Sequence, residues 1–222
     1  MFIEVLKYVS VIVFGYLVGN ISFARIISKF KKQDITQQGS GNPGTMNMLR
    51  TFGFKLGLLT LLLDGCKGAL GATVGFFVFG GDLNSTVSMT GLYIGGLSTV
   101  LGHNFPVFYK FKGGKGVACI LGIFAVANPL WSLIAFVIAF IYLCIFDYGA
   151  MASFIFITIL TVLEATRHTG NLPITFLLFA LFFLTFFMHR KNIARLLWGK
   201  ERRANLAKAF KKRNQKKNHK KH

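Results

Sequence analysis

The sequence predicts an all-α polytopic membrane protein with about seven transmembrane helices, on three observations. Hydrophobic residues make up 53% of the chain, with 25 phenylalanines and a mean hydropathy of +0.55. Apolar runs recur near the length a bilayer core demands, about 20 residues of helix. Basic residues gather in blocks separated by pairs of those runs, the bias expected when positively charged loops stay on one side of a membrane.

The first run, 3–27, could imitate a secretory leader. Glu4 and Lys7 balance each other, however, and no small-residue cleavage site follows, so it reads as a retained helix. The second, 54–80, carries Asp64 and Lys67 within it. Runs 86–101 and 116–127 come next; the latter is short, and Asn128-Pro129 breaks it from 130–146. Runs 150–166 and 172–188 complete the set, and the count falls to five if the short region and a neighbour are re-entrant. Seven spans with the N-terminus outside put segments 28–53, 102–115 and 189–222 in the cytoplasm, with the C-terminus. Those segments hold four, three and 14 Lys/Arg, whereas loops 81–85 and 167–171 hold only Arg167.

The net charge of +19 is therefore local: 14 of the 26 Lys and Arg lie in 189–222, opposed only by Glu201. The expected organisation is a membrane body over 1–203 and a disordered basic tail over 204–222. Because the basic segment directly follows an apolar run, anionic lipid headgroups are its expected partner, and nucleic acid is not. Cys66, Cys119 and Cys144 lie in apolar stretches without metal-ligand spacing. The seven acids are scattered, so no metal and no cofactor is expected.

Three polar clusters emerge on the cytoplasmic side. Lys112-Gly113-Gly114-Lys115-Gly116 lacks the Walker A spacing but suits an anion, through glycine N–H groups, lysine charge and the start of a helix near Val117. His103 lies just upstream. Ser40, Asn42, Thr45, Asn47 and Arg50 form the polar content of a Gly/Asn/Pro loop, where arginine can grip a phosphate bidentately. His189 and Asn192 share a helical face and can position a hydroxyl and stabilise an oxyanion. Glu201 is expected to pair with a nearby arginine. Asp64 and Lys67, at i,i+3, can form a structural pair or contact a ligand, since each isolated intramembrane charge costs about 2.5–3.5 kcal/mol. Ser153, one turn beyond Asp147-Tyr148-Gly149, is expected to line the pocket.

Three blocks then become recognisable: Gly39-Ser40-Gly41-Asn42-Pro43-Gly44-Thr45-Met46-Asn47 through Arg50, Gly102-His103-Asn104-Phe105-Pro106 through Gly116, and His189-Arg190-Lys191-Asn192-Ile193 through Glu201. With Asp64 and Lys67-Gly68 as a weaker fourth, the chain resembles the bacterial acyl-phosphate-dependent glycerol-3-phosphate acyltransferases, the PlsY family. The resemblance implies a seven-helix inner-membrane enzyme whose site faces the cytoplasm. It implies transfer of a fatty acyl group from acyl phosphate to the 1-hydroxyl of sn-glycerol 3-phosphate, giving lysophosphatidate. By the same resemblance Ser40 and Arg50 are essential polar groups, residues 113–116 form the glycerol-phosphate loop, His189 and Asn192 are the important polar pair, and Glu201 is structural. Two departures stand out: Ala150 replaces the first serine of a serine-rich stretch while Ser153 matches the second, and Thr45-Met46 replaces a commoner pair before Asn47. Phe108 stands where the His-x4-Asp signature of the other glycerol-phosphate acyltransferase class would need an acid.

The residues leave the proton acceptor open among His189, His103 and the donor phosphate itself. A transporter for a phosphorylated solute is the competing reading, favoured by the intramembrane charges and broken helices and disfavoured by clusters gathered on one side. A phosphotransferase using cytidine-linked alcohols would need the acidic metal cluster that the sequence lacks.

Overall fold

The computed structural model describes residues 2–206. Among them there are ten α-helices, two single 3-10 turns and no strand. The helices are α1 (Phe2–Gly19), α2 (Phe23–Phe30), α3 (Thr45–Phe52), α4 (Phe54–Val78), α5 (Thr86–Asn104), α6 (Val117–Ala127), α7 (Pro129–Phe146), α8 (Gly149–Arg167), α9 (Leu172–Met188) and α10 (Arg190–Leu197). Six of the seven apolar runs are single helices within a few residues of their expected ends, and the first, 3–27, is broken after Gly19 into α1 and α2. The breaks have local causes. Asn128 receives the Trp131 N–H on its side-chain oxygen (3.3 Å) and Pro129 opens α7. Asn171 caps α9 in the same way, through the Ile174 N–H at 3.1 Å.

Four segments are long and apolar enough to cross a bilayer: Phe2–Phe30, Phe54–Val78, Pro129–Phe146 and Gly149–Arg167. The pair α9 and α10, bent by 57°, makes a fifth. The sequence expectation had also counted α5 and α6. α6 has only 11 residues. α5 is rich in Gly, Ser and Thr because it runs inside the bundle, against α1, α4, α6 and α9, and meets protein where the other helices meet lipid.

Close helix packing rests on small residues, as it must where lipid offers no hydrophobic drive to association. Along α4, Gly71 and Gly75 face the carbonyls of Gly95 and Gly91 on α5, and Gly68 faces the Cys119 backbone on α6. Gly122 of α6 returns the contact against Gly65; an added Cβ at Gly68, Gly75 or Gly122 would collide with backbone, and one at Gly71 with the Thr99 hydroxyl.

Two buried charged groups lie within the bundle. Lys67 donates to the carbonyls of Gly19 (3.0 Å) and Ile21 (2.6 Å) and sits 3.1 Å from Asp64. It thereby caps the end of α1, where the chain turns into α2. At the end of α8, fully buried Glu164 accepts from Tyr93 Oη at 2.8 Å and lies 3.8 Å from Arg167, whose guanidinium reaches the Ala127 carbonyl (3.3 Å). This second cluster ties α8 to α5 and α6. The sequence reading passed over Glu164, although an acid inside an apolar helix carries the signal that drew attention to Asp64.

The expected boundary at 203 shifts outward. Ala204 and Leu206 are buried against Leu49, with Met46, Phe54 and Leu143 around them. The basic tail beyond Leu206 lies outside the described residues.

Candidate active site

Helices α3, α6 and α8 all begin at one cavity of about 380 Å³. Gly44, Thr45 and Met46 line it from the first turn of α3, Gly116, Val117 and Ala118 from that of α6, and Gly149 and Ala150 from that of α8. Three helix N-termini, each with unpaired N–H groups and the positive end of its dipole, thus face one space, an arrangement suited to anions. Asn42, Arg50, His103, Lys115, Ser153, His189, Asn192 and Glu201 join the same wall. Away from this polar end the cavity continues between apolar side chains: Phe54, Leu58 and Leu61 of α4, Phe136, Phe140 and Leu143 of α7, and Phe156 of α8.

A chain of polar contacts organises the polar end. Lys115 Nζ donates to Asn192 Oδ1, Asn192 Nδ2 donates to Glu201 Oε1 (2.6 Å), and Arg195 Nε donates to Glu201 Oε2 (2.9 Å). Burial pushes the Lys115 ammonium down to about 8, with Glu201 opposing the shift. Just past α9, His189 Nδ1 lies 2.8 Å from the Thr185 carbonyl, which fixes the proton on Nδ1 and leaves Nε2 as an acceptor. Burial, aided by Lys115, lowers this imidazole to about 3, so it is neutral at physiological pH. Ser153 Oγ donates to the Gly149 carbonyl of its own helix at 2.9 Å.

Several residues expected to touch a ligand have other tasks. Buried Asn47 spends its amide on the loop before α3, donating to Ile35 O (3.2 Å) and Gln38 O (2.9 Å) and accepting from Ser40 N (2.9 Å). Ser40 is exposed and off the cavity wall. Lys67 is likewise absent from the wall, because its ammonium is consumed by the end of α1 and by Asp64. Lys112 points to solvent and contributes its carbonyl to Arg25 (2.8 Å). The N–H groups of Gly113 and Gly114 bond to the carbonyls of Asn104 (3.2 Å) and His103 (3.1 Å), so neither is free for a phosphate. These two glycines instead permit close approach, since a Cβ at 114 would strike the His103 imidazole and one at 113 the His103 carbonyl. Gly116, at φ 80°, does line the cavity and turns the chain into α6.

Thr45, one of the polar groups of its loop, brings a buried hydroxyl to the cavity wall that has no partner among the described residues, and Arg195 is the arginine that pairs with Glu201, as expected. The sequence reading missed Arg25, which stacks on Tyr109 (4.5 Å) while gripping the Lys112 carbonyl, and so clamps the loop that carries Lys115. Asp64, His103 and Cys119 each offer one ligand atom within 4.8 Å of one another, a donor set that no spacing announces. Lys67 already supplies the cation beside that carboxylate.

Comparison with known proteins agrees with this architecture. A glycerol-3-phosphate acyltransferase of Aquifex aeolicus is 37% identical over 200 residues, covering 89% of this chain and all of the relative. One from Finegoldia magna is 36% identical over 88% of this chain and 97% of its own. The crystal structure of PlsY (YgiH), an integral membrane glycerol 3-phosphate acyltransferase, in its glycerol 3-phosphate form has a TM-score of 0.79 and 35% identity, covering 88% of this chain and 94% of that one. Its lysophosphatidic acid form has a TM-score of 0.79 and 34% identity, covering 91% and 98%. The family profile described as glycerol-3-phosphate acyltransferase matches residues 9–199, and the chain belongs to that family.

Proposed function

We propose that this chain transfers a fatty acyl group from acyl phosphate to the 1-hydroxyl of sn-glycerol 3-phosphate, forming lysophosphatidate and inorganic phosphate. One observation carries the reading: a cationic end ringed by helix N-termini runs without interruption into an apolar groove. That shape suits an amphiphile with an anionic head, and both the donor and the product have that form. The relatives named above act on glycerol 3-phosphate by their names, and the two crystal forms hold the acceptor and an acylated product.

Acyl phosphate is a mixed anhydride, already activated, so the protein has mainly to position two anions and neutralise charge. Lys115, the NH1 group of Arg50 and the first turns of α3, α6 and α8 do that. The acceptor hydroxyl attacks the acyl carbon, the bond from that carbon to the phosphate oxygen breaks, and the hydroxyl proton passes to His189 Nε2 or to the departing phosphate. Transfer is direct: the Ser153 hydroxyl donates to its own helix and is given no base. The acyl chain enters sideways from the bilayer between α4 and α7, since Leu58 and Phe140 line the groove and are 38% and 41% exposed. Counting α5 and α6 with the five segments able to span, the proposed topology crosses the membrane seven times with the N-terminus outside, and the positive-inside bias of 28–53, 102–115 and 189–222 directs the site to the cytoplasm.

The deciding experiment measures phosphate release from palmitoyl phosphate by the protein in lipid nanodiscs, with and without glycerol 3-phosphate. Acceptor-dependent release with lysophosphatidate as product is the expected result. No release from correctly inserted protein, together with uptake of labelled glycerol phosphate into proteoliposomes, would overturn the reading in favour of transport.

A further inference from the structure

The segment from Lys200 to Leu206 crosses the headgroup end of the cavity and is fastened at several points. Glu201 is held by Asn192 and Arg195. Arg50 donates to the carbonyls of Arg203 (2.9 Å) and Arg202 (3.2 Å), and Arg202 reaches across to the Gly39 carbonyl (2.7 Å). The densest attachment is at Asp147. Its carbonyl accepts from Ala204 N at 2.7 Å, and its carboxylate faces Asn205 N at 3.1 Å and Leu206 N at 3.4 Å. Three consecutive backbone N–H groups of the strap, centred on Asn205 at 58 positions from Asp147 in sequence, thus converge on one residue.

We infer that Asp147 is a positioning residue: it locks this strap across the cavity and thereby fixes Glu201, Asn192 and Lys115 in register with the substrate phosphate. The inference rests on the acyltransferase reading above. Ala204 is only three residues from Glu201, a maximum reach of about 10 Å, so anchoring Ala204 leaves Glu201 little freedom. Glu201 in turn orients the Asn192 amide, whose oxygen receives the Lys115 ammonium. Leu206, held by the same carboxylate, closes part of the cavity wall.

A purely local role for Asp147 makes a different prediction. The residue ends α7 at φ 62°, in the left-handed region. Asparagine adopts that conformation at least as readily as aspartate. If Asp147 served only as a helix cap, Asp147→Asn would be silent. If it anchors the strap, asparagine keeps one acceptor oxygen but loses the charge and the second oxygen, and the effect should be graded from Asn to Ala.

The test uses the full chain in nanodiscs, with wild type, Asp147→Asn and Asp147→Ala. Hydrogen exchange of the 200–206 peptide should accelerate in both variants, more in the alanine. The KM for glycerol 3-phosphate should rise about threefold for asparagine and about tenfold for alanine, as expected when charge-assisted bonds are lost. The KM for palmitoyl phosphate should stay within twofold. Both variants keep the Asp147 carbonyl that holds Ala204 N, so unchanged exchange overturns the anchoring by the carboxylate, and faster exchange with unchanged glycerol 3-phosphate KM overturns the positioning role. If the alanine variant fails to fold, the asparagine variant decides alone. An inactive wild type would sink the acyltransferase reading instead, and would leave the exchange comparison as the measure of the anchor.

Discussion

Replacing Lys67 with methionine separates a ligand contact from a structural one. Lys67 Nζ makes three short contacts, to Gly19 O, Ile21 O and Asp64 Oδ1, and only 3% of the side chain is exposed. Methionine fills similar volume but leaves the buried Asp64 carboxylate unpaired and two carbonyls at the end of α1 without their cap. Breaking one side of such a buried pair costs about 3–5 kcal/mol. For a chain of this length, about 2–4 °C per kcal/mol gives a drop in Tm of about 6–20 °C. Thermal unfolding in a mild detergent would measure it. The double variant Asp64→Asn, Lys67→Met should regain a substantial part of the loss, because no uncompensated carboxylate remains. A Lys67→Met protein with wild-type Tm and a raised KM for glycerol 3-phosphate would refute this reasoning and return Lys67 to the substrate.

Three further outcomes are expected. The Lys115 ammonium, lowered to about 8 by burial, is charged below that pH and neutral above it. Because the acceptor phosphate is already a dianion there, kcat/KM for glycerol 3-phosphate should fall toward tenfold per pH unit above about 8; a flat profile from pH 7 to 9.5 would exclude Lys115 as the charge that matters. Gly122→Ala drives a methyl into the Gly65 carbonyl and should force α6 from α4, at a cost of about 1–3 kcal/mol visible as lowered Tm and reduced turnover. Truncation after Leu206 should leave turnover in correctly inserted protein intact, and its abolition would assign chemistry to the basic tail.

Much of the helical architecture was legible because apolar runs bounded by Asn, Pro and Gly leave few alternatives inside a membrane. The runs at 172–188 and 130–146 match α9 and α7 to within a residue. α5 is harder to read, since a helix wrapped in other helices can be polar, and its Gly, Ser and Thr lower its apparent fitness to span. At the site, the residues of the three motif blocks do gather, but sequence could not tell which of them face inward. Gly113 and Gly114 look the same on paper whether their N–H groups point at an anion or at His103 and Asn104. Asn47 is equally ambiguous, because a buried amide that fastens a loop and one that binds a phosphate obey the same local pattern. Contacts between residues far apart in sequence, such as Asp147 with Asn205 and Arg25 with Lys112, leave no trace in spacing or composition.

On the proposed reading, entry of the acyl chain between α4 and α7 sets the unit in which the donor is counted. A substrate that arrives sideways is drawn from the two-dimensional pool of the bilayer, so its mole fraction among lipids governs encounter, whatever its amount per volume of solution. Inert lipid added to the membrane would slow the reaction as a competitor does without binding anything. The soluble acceptor would be unaffected by the same dilution. On that reading the protein meets one substrate as a surface density and the other as a concentration, and joins them in one cavity.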